Sequence, residues 1–499
     1  MSQPLSRLDD RTLVQAKAGV RRPSYDRARL ATGIVHLGLG NFARAHLADY
    51  VEDALEAGDR GWGVVGVSLQ RPDQRDRLAP QDGLYTALQR DGSEVRPRII
   101  GCVKQILVAP EDPAAVIRAM ASEACRIVSL TVTEKGYCFD AGSGRLNFDH
   151  PTIAADLRDP DQPRSVFGLL AAALRARRAE RLPPFTVLCC DNLPDNGRLV
   201  ARLLDEFARA GDQALADWIA SRGAFPSTMV DRIVPATTDA DLAAAIEATG
   251  LTDLAPVSHE PFRQWVIEDR FVGGNRPALE KAGAQFVDDV AAYERLKLRM
   301  LNCAHSALAY LGCLAGYATI RDAAADPVFR KFIFDLWREE IIPVVRAPDG
   351  VDPHQYADTV MHRFDNAAIL HKTTQVGSDG SQKLPMRLLP TVRERLERGA
   401  PIARVAHVVA AWIRYLDGGD DCGGAIEIND PLRATLQAAL ASAGNTAESK
   451  VAAITGFAQV FGELSDNNLF RSAVLMAYVF IAGRGVQAAT SALTKVTNQ

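Results

Sequence analysis

A dominant charge of either sign is missing from this chain. Its 57 Lys and Arg against 61 Asp and Glu give a formal net charge of -4, which offers nucleic acid or an anionic membrane no general electrostatic pull. Long hydrophobic runs are missing too. No apolar stretch reaches the roughly 18 to 20 residues that span a bilayer. The opening MSQPLSRLDDRTLVQAKAGV mixes both charges without the apolar centre of a signal peptide, so a cytoplasmic protein is expected. The eight cysteines include no C-x-x-C pair, and several sit in apolar runs such as FTVLCC. Reduced core thiols are therefore expected rather than disulfides or a zinc site. What is present is the usage of an ordinary globular protein, 24% charged and 47% hydrophobic. That leaves small molecules as the expected ligands, in a monomer or small homo-oligomer. A length of 499 residues exceeds what one hydrophobic core usually serves, so two domains are expected.

The first half alternates short apolar runs with helical stretches, the pattern of a parallel sheet covered by helices. Strands are expected at 33–40, 62–69, 126–132, 185–190 and 229–236. From about residue 286 the texture changes to long Ala- and Leu-rich helical segments at 286–316, 327–346, 402–417, 433–443, 448–463 and 468–484. The expected fold class is α/β: a Rossmann-type dinucleotide-binding domain over 1–285, followed by a mostly α-helical substrate and catalytic domain over 286–499.

In GIVHLGLGNFARAH, a β-rich run enters Gly38-x-Gly40-x-x-Ala43 and leaves into an amphipathic helix. This is the dinucleotide fingerprint with alanine third, giving a tight turn, a close approach of backbone to pyrophosphate and close helix packing. Gly38, Gly40, Phe42 and Ala43 are thus cofactor candidates. The second strand ends VSLQRPDQRD, with no carboxylate at its tip. Asp73, a little further on, would favour the ribose hydroxyls of NAD, whereas Arg71 would favour the 2′-phosphate of NADP. NAD is expected.

YERLKLRMLNCAHS, Tyr293 to Ser306, carries Glu294, Lys297, Asn302 and His305. At about 100° per residue the four fall within roughly 140° of one helix face. Leu298 and Leu301 lie among them, so the face is expected to be buried and its polar groups to need partners. A nicotinamide enzyme acting on an alcohol must take the hydroxyl proton and stabilise charge on that oxygen. Desolvation makes a lysine usable as that base, and Lys297 is the candidate. Asn302 would donate to the oxygen, His305 would orient substrate or lysine, and Glu294 would relay the proton. No Cys/His set suggests a metal. The plainer reading is an exposed Glu–Lys pair with a satisfied core histidine. Tyr293-x-x-x-Lys297 also matches a short-chain dehydrogenase spacing, in chains of about half this length with a different glycine motif.

GLGNFARAH, SLTVTEKGYC, CDNLPDNG, FPSTMVDRIVPATT, EPFRQWVIEDRF, KLRMLNCAHS and DGSQKLPMRLL occur in this order along the chain. Together they resemble the polyol-specific long-chain dehydrogenase family, which includes mannitol dehydrogenases and fructuronate reductases. The resemblance implies a metal-independent mechanism with Lys297 as general base, Asn192 and Asn302 as the oxyanion pair, Glu294 as an acidic gate and Asp231 near substrate. For Asp231, a carboxylate paired with Arg232 or a backbone amide is the alternative. One departure is Ala43, where the family often has histidine.

A sugar-acid substrate calls for fixed cations. Lys135 in TVTEKGYC, and Lys383 with Arg387 in DGSQKLPMR, look closer to the fructuronate reductase branch; Arg263 discriminates less. The resemblance therefore implies NAD-linked interconversion of D-mannonate and D-fructuronate. A mannitol, arabinitol or sorbitol dehydrogenase is the alternative, and a nucleotide-binding regulatory protein the non-enzyme one.

Overall fold

A computed structural model of the chain describes residues 5–140, 143–369 and 371–495 and divides it into two units, Met1–Val290 and Ala291–Gln499. The first unit holds strands β1 Ile34–Leu37, β2 Val64–Ser68, β3 Tyr85–Asp91, β4 Glu94–Ile100, β5 Val103–Val108 and β6 Ile127–Leu130. It continues with β7 Thr186–Cys189, β8 Thr228–Asp231, β9 Val257–His259, β10 Gln264–Glu268 and β11 Gln285–Val287. Five of these form a sheet in the order β5-β2-β1-β6-β7. Every pairing in it is parallel, with Ile34 level with Val64 on one side and Ile127 on the other.

The period of two along each strand divides the core. Val35, Leu37, Val65, Val67, Val128 and Leu130 pack with helices Pro113–Ala121, Val166–Ala179 and Asn196–Gly211. Ile34, Val64 and Ile127 pack on the other side with helix Leu47–Glu56. Burial on both faces is why β1, β2, β6 and β7 read as continuous apolar runs. Edge strand β5 is less covered, with Lys104 partly exposed and Gln105 open to solvent, and the β3–β4 hairpin carries Arg90, Asp91, Glu94 and Arg96. Apolar runs therefore do not reveal these three strands. The run at 229–236 is only in part a strand: β8 ends at Asp231 and belongs to a separate sheet, β11-β10-β8, antiparallel to β10.

A buried ionic cluster braces this unit. Asp49 accepts from Arg98 at 2.8 Å, Arg232 at 2.8 Å and Arg263 at 2.6 Å. Asp53 accepts from Arg98 and Arg263, both at 2.7 Å. Burial pulls the Asp49 carboxyl up, but Arg232, Arg263 and Arg98 outweigh it and hold it well below the usual range.

The second unit is helical, with no strand element among its described residues. Helix Cys303–Leu314 is buried along its whole length and shares a core with helix Ala403–Tyr415. Two segments, Leu298–Asn302 and Trp337–Ile341, are π-helical. The Trp337 indole N–H donates to the Met300 carbonyl at 3.0 Å, joining the two. Among the described residues no helix is long and apolar enough to cross a membrane. All eight cysteines are free and six are buried. Cys422 departs from the core reading: it is exposed because it lies in the polar turn DGGDDCGG, whose N–H groups at Cys422 and Gly424 bond to Asp420.

Candidate active site

In the first unit the chain leaves β1 at the point where the sheet order reverses between β2 and β6, the place where open α/β sheets take ligands. Gly38 has φ +97°, and a Cβ there would collide with the Thr131 carbonyl, so the turn requires glycine. At Gly40 a Cβ would meet only the Gly38 carbonyl, at 3.9 Å, which leaves its backbone approachable. Ala43 is buried and Phe42 partly so. The helix that follows is not one piece: it runs Asn41–Ala45, breaks at His46 and resumes at Leu47. The break places His46 Nε2 3.0 Å from the Gln264 carbonyl, with Phe42 stacked on the imidazole at 4.9 Å. Arg44, also buried, bonds to Asn41 Oδ1 at 2.7 Å and the Ala255 carbonyl at 2.5 Å. The polar letters of NFARAH thus anchor the turn.

Leu130 of β6 and Cys189 of β7 are level neighbours, so the segments bearing Lys135 and Asn192 leave the same sheet edge as the glycine turn. Both side chains are exposed. Asp191 ties the two segments together. It accepts the N–H of Val132 at 2.9 Å and of Thr133 at 3.2 Å, and the Tyr137 hydroxyl at 2.6 Å. Thr133 is held at φ +63°, a strained setting for a β-branched residue. Asp231 ends β8 and is buried; Arg232 beside it pairs with Asp49. Arg263 is likewise engaged by Asp49 and Asp53. Asp73, exposed, opens helix Asp73–Leu78 beyond the end of β2.

In the second unit, Lys297 ends helix Ala291–Lys297 and is buried, while Glu294 is partly exposed. The Cys303 N–H then reaches back to the Leu298 carbonyl, the π pattern. A π turn spends more residues per turn than an α turn, so even angular spacing from Lys297 to His305 does not hold. Asn302 and His305 are only 6% and 8% exposed, yet Asn302 Oδ1 and His305 Nε2 have no hydrogen-bond partner in the chain. Buried polar atoms are rarely left so, and these two lie in one helix with Lys297.

His305 lies between Phe364, with ring centroids at 5.3 Å, and His371, at 4.8 Å. Burial, then the basic groups of His371, Arg387, Lys383 and Arg363, hold it well below the ordinary histidine range. Arg387 donates to Ser306 Oγ at 3.0 Å and to the Asn302 carbonyl at 3.4 Å. Lys383 donates to the Val376 carbonyl at 3.2 Å. Both cations sit on helix Gly380–Arg387, which is docked by Ser381 on Asp430 and by Gly380 against Trp412 and Tyr310, where a Cβ would collide. Lys297, Asn302, His305, Lys383 and Arg387 are thus all in this unit, the last four around one cluster of bases. The sequence motifs do not include His371, Phe364 or Arg363; their one signal is a His and an Arg-Phe pair in otherwise plain stretches. Among the described residues, no three His, Cys, Asp or Glu side chains gather as a metal site.

The glycine turn falls within a match to the mannitol dehydrogenase Rossmann domain over residues 32–281. The lysine helix falls within a match to the mannitol dehydrogenase C-terminal domain over 289–482. D-mannonate oxidoreductase of Escherichia coli (strain K12) is 43% identical over 487 residues, covering 97% of this chain and all of that one. Mannitol 2-dehydrogenase of Pyrenophora tritici-repentis is 44% identical over 423 residues, 83% of this chain and 75% of that one. The structure of Pseudomonas fluorescens mannitol 2-dehydrogenase, a ternary complex with NAD and D-mannitol, superposes with a TM-score of 0.91 at 37% identity. It covers 98% of this chain and 99% of that one. With both of its units matched, and with full-length relatives well above the level at which membership is secure, the chain belongs to the mannitol dehydrogenase family of oxidoreductases.

Proposed function

We propose that the protein is an NAD-linked dehydrogenase interconverting D-mannonate and D-fructuronate. The observation that carries this reading is the set of bases around Asn302 and His305: Lys383, Arg387 and Arg363 act together on His305, a field suited to a substrate that brings a carboxylate. Full-length likeness to a D-mannonate oxidoreductase supports the same choice. The mannitol 2-dehydrogenases, at similar identity, support a neutral polyol as second reading.

The glycine turn fits a dinucleotide, with an approachable backbone at Gly40 and a positive φ at Gly38. The cofactor, when bound, supplies the acceptor for the hydride. Lys297 takes the proton of the substrate hydroxyl as the carbon loses hydride, and Glu294 passes that proton on to solvent. The amide of Asn302 donates to the oxygen as charge develops there, a role the family resemblance also gives to Asn192, and its unpartnered Oδ1 is left to accept from a second substrate group. His305 orients the substrate through Nε2. Lys383 and Arg387 fix the carboxylate end, and the family resemblance gives Lys135 and Asp231 roles toward the substrate. Asp73 favours NAD over NADP.

Nicotinamide absorbance, followed with D-mannonate, D-mannitol, D-arabinitol and D-sorbitol, each with NAD and with NADP, tests this. Turnover of D-mannonate with NAD is expected. Turnover confined to a neutral polyol would remove the carboxylate role of Lys383 and Arg387 and leave the lysine chemistry standing.

A further inference from the structure

His371 lies outside every sequence motif, yet its imidazole meets that of His305 edge-on at 4.8 Å. Its Nδ1 is buried with no hydrogen-bond partner in the chain, as is Nε2 of His305. A buried histidine elsewhere in the same unit shows the ordinary case: His407 Nε2 sits 2.9 Å from Thr490 Oγ1 and simply completes the core. Two neighbouring imidazoles that each keep a buried nitrogen for something outside the chain make a different arrangement, and the cost of leaving such atoms unpaired calls for a ligand.

The backbone under His371 is fixed from both sides. Ile320 N–H donates to the His371 carbonyl at 2.9 Å, and Thr373 N–H to the Ala318 carbonyl at 3.0 Å. Thr373 Oγ1 adds a bond to the Tyr317 carbonyl at 2.8 Å. The backbone that carries the ring is therefore held before any ligand arrives, which limits where the imidazole can sit. Burial, then nearby Lys383, pushes His371 down to about 4, so the ring is neutral near pH 7 and offers one donor and one acceptor nitrogen. Such a group suits a hydroxyl. The carboxylate is better matched by Lys383 and Arg387.

We propose that His371 is a specificity-determining residue whose Nδ1 hydrogen-bonds one hydroxyl of a linear polyhydroxylated substrate, beside the hydroxyl bound by His305. This rests on the preceding reading that the chain oxidises such a substrate. The close spacing of the two rings suits hydroxyls on neighbouring carbons, so the pair reads a vicinal diol and discriminates among substrates that differ at one of those carbons. A site built to bond a hydroxyl rejects the analogue lacking it far more strongly than an apolar pocket rejects a missing methylene.

The test is a cycle between residue and substrate. kcat/KM is measured for the preferred substrate and each of its monodeoxy analogues, in the unaltered protein and in His371→Phe. One analogue is expected to be worse than the parent by about 10⁴-fold in the unaltered protein and by far less in His371→Phe. The variant's loss on the parent should fall mainly on KM, with cofactor affinity and melting temperature unchanged. If every analogue keeps its full penalty in the variant, or the parent's kcat/KM does not move, the proposal is overturned. Should the Phe variant fail to fold, His371→Leu takes the same cycle with the same two outcomes. If the preferred substrate is a neutral polyol, only the carboxylate reading fails and the cycle runs on monodeoxy polyols. If no sugar acid or polyol turns over, both readings fail.

Discussion

The ionic cluster of the first unit and the imidazole–amide cluster of the second are both built from buried and half-buried polar side chains, and they differ in whether the chain completes them. Asp49 and Asp53 receive Arg98, Arg232 and Arg263 at 2.6 to 2.8 Å, so the cost of burying charge is met within the fold. Asn302 Oδ1, His305 Nε2 and His371 Nδ1 stay unmatched, in surroundings whose strongest charges on His305 are basic. Burial of polar residues by itself does not mark function. A closed network reads as architecture, and an open one, next to a buried lysine on a π-distorted helix, reads as a place for substrate.

The sharpest way to break this contrast is to exchange its consequences. Lys297→Ala should lower kcat by about 10³-fold or more, the worth of an essential general base, with cofactor affinity held. A loss of only a few-fold, read by steady-state kinetics, would remove the lysine from the chemistry. Asp49→Ala should do the reverse. It leaves buried guanidinium groups short of a carboxylate, which costs about 3 to 5 kcal/mol of stability, visible as a lower denaturant midpoint, while the folded fraction keeps its kcat. A drop in kcat of the folded fraction instead would show that the closed cluster also serves catalysis.

The physical basis of these expectations was unequally legible in the amino-acid sequence. Strands buried on both faces, such as Ile34–Leu37 and Ile127–Leu130, announce themselves as apolar runs, and Gly38 announces its turn because only glycine takes that φ without a clash. Lys297, Asn302 and His305 stand out by spacing and by resemblance, and the fold buries all three. The π segment between them does not stand out, because no residue type encodes an i to i+5 bond; the Trp337 contact to the Met300 carbonyl joins it to a segment far along the chain. His371 escaped for the same reason. Its meaning comes from a ring contact with His305 that only the tertiary fold creates. The break at His46 was hidden by a pattern that reads as one amphipathic helix.

A pH titration separates neutral buried polarity from paired charge. Burial is the leading cause that lowers His36 to about 4, His46 to about 3, His259 to about 4, His371 to about 4 and His407 to about 3. Each binds its proton more readily once unfolded, near the free value of about 6.5. Their stabilisation is therefore complete above that pH and is lost as pH falls toward the folded values. The unfolding free energy should decline below about pH 6.5, by at most about 1.4 kcal/mol per pH unit for each histidine. His407→Gln should remove one histidine's share of that slope. A slope unchanged in this variant would mean that His407 already titrates in the native protein. Substrate should protect His305 and His371 further but leave the contribution of His407 where it was.

The smallest effect concerns the first unit, where a polar group is open because it is at the surface. Asp73 opens its helix exposed, beyond the strand end at which a ribose hydroxyl is normally read, and Arg71 lies exposed nearby. A carboxylate there repels a 2′-phosphate, whereas serine does not and leaves Arg71 to attract it. Asp73→Ser should shift the ratio of kcat/KM for NADP over NAD upward by about tenfold, equivalent to about 1.4 kcal/mol and within the range of one surface charge contact. KM for the substrate should stay put, because the second unit is unaltered. A cofactor ratio that does not move would place the ribose reading elsewhere on the turn after β2, and would extend to Asp73 the lesson of the ionic cluster, that a charged residue in a suggestive position can be architecture alone.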